Sequence, residues 1–227
     1  MTDRLILTLA ILGGTGNEGR GLAYRWAKAG YHVLIGSRTP DKAERVAAEL
    51  KERLGTAMVQ GMGNAEAAAM CDIAVLTVPF SGHRATLEGL ASALSGKLLV
   101  DVTVPLDPDD ITVIKPPAAG SAAQEAKQIL GDSTQVVAAF NNVSHVYLQG
   151  DGPVPCDVLV CGDGQAAREQ VLHLVEAAGM VGWDAGPLAN AAAVEGLTAV
   201  LLGINRRHGI RHAGLRITGE EKRPASP

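Results

Sequence analysis

Aromatic side chains are scarce here: Phe, Trp and Tyr make up 3% of 227 residues. That leaves few ring platforms on which nucleic-acid bases could stack. The formal net charge is −4 at pH 7 and no long basic run breaks the acidic balance, so no nucleic-acid partner is expected. No run of about 18 apolar residues is visible. Met1-Thr2-Asp3-Arg4 leads straight into the first apolar stretch without a secretory pattern, so a soluble protein with no membrane partner is expected. Cysteine is also rare. Cys71, Cys156 and Cys161 have neither C-x-x-C nor zinc spacing, and strand-like sequence flanks each. Buried, reduced thiols and a cytoplasmic location are the expectation. The Asn142-Val143-Ser144 sequon then reads as coincidence.

What is abundant is apolar sequence in a regular rhythm. Hydrophobic residues reach 47%, enough for a sizeable core. Leu5–Leu12, Tyr31–Ile35, Met58–Gly61, Ile73–Val78, Lys97–Val102 and Val136–Phe140 read as strands. Helices are expected at Asn17–Ala29, Asp41–Arg53, Asn64–Met70, His83–Leu94 and Ser121–Leu130. Such alternation predicts an α/β doubly wound parallel sheet. Residues Leu106–Gly120 read as a Pro- and Asp-rich loop with a short strand at Ile111–Ile114. A strand–helix–strand unit follows over Val158–Trp183, then a mainly apolar helix from Asn190 to Arg207. That helix requires burial, in its own core or against another chain. The polar tail Glu220–Pro227 is expected to fray.

The first strand runs into Gly14-Thr15-Gly16-Asn17-Glu18-Gly19, a G-x-G-x-x-G turn opening a helix. Gly14 is expected to allow the tight strand exit, Gly16 the approach of a pyrophosphate, and Gly19 close helix–strand packing. The helix N-terminus supplies free N–H groups and a positive dipole end. An NAD-binding unit carries a carboxylate about 20 residues further on. None stands there; the second strand ends in Gly36-Ser37-Arg38-Thr39, with Lys42 one turn on. A guanidinium fork and an ammonium attract the 2′-phosphate of NADP, which a carboxylate would repel. The plainer alternative is that Ser37 and Thr39 cap the helix after Pro40, leaving Arg38 and Lys42 solvated.

These segments, with Asp72–Pro79, Val160-Cys161-Gly162-Asp163 and Asp184–Leu188, resemble the NADPH-dependent reductases of the deazaflavin coenzyme F420 over nearly the whole chain. The resemblance implies reversible hydride transfer between NADP(H) and coenzyme F420. By the same resemblance, Thr15–Gly19 hold the pyrophosphate and Ser37, Arg38 and Lys42 the 2′-phosphate. Thr77, Val78 and Pro79 lie along the NADP. Phe140–Ser144, with Asn141 and Val143, line the deazaflavin pocket, and Ala213-Gly214-Leu215 reach the ring stack. Some members carry His where Asn141 stands. The implied division is an NADP-binding domain over residues 1–140 and a smaller part over 141–227. That second part would complete the deazaflavin pocket and, by burying Val194–Ile204, form a homodimer interface.

Such chemistry needs stacked rings more than side chains, and no Ser/His/Asp series, carboxylate pair or metal-ligand cluster stands at an obvious strand end. No catalytic residue is assigned. His83 is expected either to touch a ligand or to sit at a helix start, and His145 to lie in the deazaflavin loop. His208 and His212, with Arg206, Arg207 and Arg211, read as a solvated basic patch rather than a metal pair. Two other classes stay open: an NADP-dependent reductase of a small imine or carbonyl, and a non-catalytic NADP sensor.

Overall fold

The computed structural model describes residues 7–219. The expected strand start at Leu5 and Ile6, the segment before it and the tail Glu220–Pro227 lie outside the described residues. In chain order the elements are β1 (Thr8–Leu12), α1 (Asn17–Lys28), β2 (His32–Ser37), α2 (Pro40–Leu54), β3 (Val59–Gly63), α3 (Asn64–Met70), β4 (Ile73–Leu76) and α4 (Phe80–Leu94). β5 (Leu98–Asp101), α5 (Ala122–Leu130), β6 (Gln135–Ala138), α6 (His145–Leu148), β7 (Asp157–Gly162), α7 (Gln165–Ala177), β8 (Val181–Asp184) and α8 (Ala191–His208) complete it.

They form one eight-stranded sheet in the order β3-β2-β1-β4-β5-β6-β7-β8. β1 to β6 are parallel, in the order of a doubly wound dinucleotide-binding sheet. Side-chain alternation explains its two-sided burial. Leu9 and Ile11 of β1 join a cluster with Trp26 of α1, Val46 of α2 and Val171 of α7. Ala10 and Leu12 join another with Ala67 of α3, Leu87 of α4, Ala123 of α5 and Val194 of α8. Trp26 anchors the first layer: its indole Nε1 donates to the Leu174 carbonyl at 2.8 Å, and its ring meets Phe140 edge-on at 5.5 Å.

The C-terminal part carries the expected helix, α8, and adds strands to the sheet. β7 pairs antiparallel to β6, and β8 then pairs parallel to β7, so this part also lengthens the sheet. The link between β6 and β7 contains one helical turn, α6, in place of a crossover helix. Its end stays beside the start of α1, where Gln149 donates to the Asn17 carbonyl at 3.0 Å, so the chain re-enters from the same end of the sheet. The strand expected at Ile111–Ile114 is reduced to a single Leu106–Ile114 bridge.

α8 is buried along one stripe, Ala191, Val194, Glu195, Ala199 and Gly203, while Val200 on another face is 52% exposed. With the preceding 3-10 turn it spans Leu188–His208, long and apolar enough to cross a membrane by length and composition alone. It is not an unbroken apolar run, since Asn190, Glu195, Thr198 and Asn205 interrupt it. Its Glu195, 1% exposed, instead accepts the N–H groups of Ala122 (2.8 Å) and Ala123 (3.1 Å), tying α8 to the first turn of α5.

Candidate functional site

A cleft of about 1080 Å³ opens at the carboxyl ends of β1, β2, β4 and β5, where the strand order reverses. Its floor is the glycine turn. Gly13, with φ +79°, makes the sharp exit from β1 that Gly14 was expected to make. Gly14 has a different need: a Cβ there would stand 2.8 Å from the Ile11 carbonyl oxygen. Gly19 packs as expected, since a Cβ would meet both Gly14 Cα and Thr77 Oγ1 at 2.7 Å. Gly16 faces open space, its nearest obstacle for a Cβ lying 3.7 Å away. It is also the N-cap of α1, and no side chain caps the first turn, whose N–H groups face the cleft bordered by Thr15, Gly16 and Asn17.

The β2 end supplies the positive charge. Ser37 is buried, and its Oγ accepts the Thr39 N–H at 3.1 Å, a local turn that fixes the backbone before α2. Thr39 makes no side-chain cap, so the plainer capping reading holds for neither hydroxyl. Arg38 and Lys42 are exposed, line the same cleft and form no ion pair among the described residues. Thr77 donates from Oγ1 to the Leu12 carbonyl at 3.1 Å, holding the Thr77–Pro79 turn beside the glycine loop.

The structure thus brings Thr15–Glu18, Ser37, Arg38, Lys42 and Thr77–Pro79 to one cavity, with Gly14 and Gly19 packed beneath it. Asn141, Val143 and Ala213 are not among its lining residues. Phe140, in the left-handed region at φ +65°, turns Asn141 back so that Nδ2 donates to the Thr103 carbonyl at 3.0 Å. Asn141 Oδ1 is buried without a partner among the described residues. Val143 is buried, and Ala213 is held by its N–H to Asn205 Oδ1 at 3.0 Å. Asn142 is half-committed in the same way: its Nδ2 donates to the Asp157 carbonyl at 2.8 Å, while its buried Oδ1 has no partner among the described residues.

Residues without an expected role also shape the cleft. Asn64 Oδ1 accepts the Gly13 N–H at 3.2 Å and closes against Gly36, and Val102–Val104 form the wall beyond β5. The Asp101–Pro105 segment at a strand's carboxyl end is where open α/β sheets place ligands, a signal present in the sequence.

The histidines separate. His83 is fully buried behind the cleft, with Nε2 2.8 Å from Asp101 and Nδ1 3.1 Å from Glu125, which also pairs with Arg84 at 2.6 Å. Burial lowers its pKa, but the two carboxylates outweigh that and raise it. His145 begins α6, half-buried. His212 leaves the expected patch, its Nδ1 3.1 Å from Ser144 Oγ and its ring edge-on to Tyr147 at 5.6 Å. Arg206 pairs with Asp110 at 3.0 Å. The three thiols are free and buried, and burial pushes Cys156 up to about 11 and Cys161 up to about 12.

Fold and cleft together define a dinucleotide-binding protein of the doubly wound class. The family described as NADP oxidoreductase, coenzyme F420-dependent, matches residues 8–105. An F420-dependent NADP reductase of Methanothermobacter marburgensis is 41% identical over 225 residues, covering 93% of this chain and 98% of its own. One from Methanocaldococcus jannaschii is 37% identical, covering 95% and 100%. Among solved structures, a putative F420-dependent NADP reductase from Arthrobacter sp. FB24 superposes with a TM-score of 0.80 at 26% identity, over 94% of this chain and all of that one. The chain belongs to the family of F420-dependent NADP reductases.

Proposed function

We propose that this protein transfers hydride reversibly between NADP(H) and coenzyme F420. The observation that carries the reading is the meeting, in one cleft, of an uncapped helix N-terminus with exposed Arg38 and Lys42. Thr15–Gly19 hold the pyrophosphate, and Gly16 leaves room for it to approach the backbone N–H groups. Ser37, Arg38 and Lys42 receive the 2′-phosphate, the guanidinium by paired hydrogen bonds. Thr77, Val78 and Pro79 run along the nicotinamide end. The bound coenzymes supply the redox chemistry; the chain orients them, with donor and acceptor carbons at about 3–3.5 Å.

The deazaflavin site is assigned to Asn141, Val143 and Ala213, beside the Val102–Val104 wall. Asn141 supports this, because its buried Oδ1, like that of Asn142, accepts nothing from the described residues. Residues 1–140 then form the NADP-binding domain, and 141–227 complete the second pocket. The discriminating assay follows NADPH oxidation against F420 and against imine, keto-acid and quinone panels. Turnover with F420 alone supports the reading; turnover only with imines or carbonyls, or none at all, replaces it.

We infer a homodimer in the cytoplasm. The exposed face of α8 around Val200 supports the dimer, and the three buried free thiols suit a reducing compartment. Light scattering at micromolar concentration is expected to return twice the chain mass, and a monomer would remove the dimer. Recovery of the activity in an exported fraction would remove the compartment.

A further inference from the structure

Glu18 is the second residue of α1, in the turn that faces the cleft. Its Oε1 is buried and has no hydrogen-bond partner among the described residues. An ionised carboxylate left that way is costly, so a buried acid either finds a partner or keeps its proton. Among the described residues no cation pairs with it. Arg20, on the same helix, pairs through Nη1 with Glu49 of α2 at 3.2 Å, and its buried Nε has no partner among the described residues. At the start of β7 the titratable neighbour that feels Glu18 is the buried thiol of Cys156, followed by Asp157, whose carboxylate accepts Trp183 Nε1 (2.9 Å) and the Ile217 N–H (2.8 Å). The positive end of α1 favours the carboxylate, yet burial prevails and pushes the acid up to about 8.

The proposed reaction has an unassigned proton. NADPH gives up a hydride, two electrons with one proton, and becomes the cationic NADP+ ring. The deazaflavin gains that hydride at its central ring carbon and one further proton at a ring nitrogen. Among the described residues that line the cleft, Glu18 carries the one carboxyl group. We propose that Glu18 is the catalytic acid–base of this reaction: it holds its proton opposite neutral dihydronicotinamide and releases it as the ring becomes cationic. The O–H bond of Glu18 breaks as the N–H bond of the reduced deazaflavin forms. Glu18 is left as a carboxylate facing the new positive ring, and solvent reprotonates it when NADP+ leaves. In reverse, the carboxylate accepts the proton. This inference rests on the F420 reading for its reaction, but its coupling to the nicotinamide charge can be measured without F420.

The test is calorimetric binding of NADP+ and of NADPH to the full chain near pH 7.5, in buffers of different ionisation enthalpy. Both ligands carry the same 2′-phosphate, so its protonation cancels between them. The wild type is expected to release a proton on binding NADP+ that it does not release on binding NADPH. Glu18→Gln, close in shape and unable to ionise, removes that difference. It is also expected to lower kcat for F420 reduction by about 10²- to 10⁴-fold and to flatten its pH profile. Equal proton release for the two ligands in the wild type overturns the proposal, even if the variant does not fold. So does a difference that survives in Glu18→Gln. F420 turnover with equal proton release sinks Glu18 alone. The proton difference without F420 turnover sinks the F420 reading and leaves the coupling.

Discussion

Replacing His83 with Ala is expected to destabilise the fold by about 3–5 kcal/mol, the usual cost of removing one partner from a buried ion cluster. His83 and Asp101 have fully buried side chains, and Glu125 is 8% exposed. Without the imidazolium, Asp101 keeps the Thr103 N–H at 3.0 Å, and Glu125 keeps Arg84 at the surface. Glu195 adds a third carboxyl to the same region, its pKa pushed to about 7 by burial. The sign with pH follows from linkage. The folded pKa of His83 lies above the ordinary 6.5, so its contribution is fully present below that value. It is lost as pH rises through the folded value, and the gap between wild type and variant narrows there. Urea unfolding at several pH values measures this as a lowered midpoint at unchanged slope. A loss below about 1 kcal/mol, as for a surface pair, would mean that water relaxes the cluster.

Arg38→Ala is expected to lower kcat/KM for NADPH by about 10- to 150-fold, the equivalent of a charged contact worth about 1.5–3 kcal/mol, with NADH little affected. Arg38 is exposed and forms no ion pair among the described residues, so no internal partner is orphaned by its loss. The fold should keep its stability, which separates this effect from that at His83. Lys42→Ala should act in the same direction more weakly, since an ammonium lacks the planar fork. Equal losses with both coenzymes would take the 2′-phosphate away from Arg38.

Much of the fold was legible because apolar runs bounded by Gly and Pro admit few readings. β4 is buried at all four positions, and α3 occupies Asn64–Met70 as its sequence predicts. The glycine turn, its following helix and the basic β2 end were equally plain, since local spacing alone specifies them. Strand direction was not. An apolar run reads the same either way, so the antiparallel β6–β7 pairing is invisible until the link between them is seen. α6 has four residues, too short for a helical period. The positive φ at Gly13 rather than Gly14 is a choice between adjacent glycines that spacing cannot make.

The site's hidden parts are those made by tertiary contact. His83 meets carboxylates 18 and 42 residues away, which no local pattern announces. Glu18 reads as an ordinary acid in a first helical turn, and only the packing around it shows a carboxyl oxygen without a partner. Asn141 carries a bond that its sequence does not announce: its Nδ2 ties β6's end to β5's, leaving its Oδ1 uncommitted among the described residues.

An anaerobic spectrophotometric titration of F420 with NADPH, in the presence of the purified protein, tests the central claim most directly. Stoichiometric loss of the oxidised deazaflavin absorbance, reversed by excess NADP+, is the expected result. Unchanged absorbance, with NADPH demonstrably bound in the cleft, would contradict it.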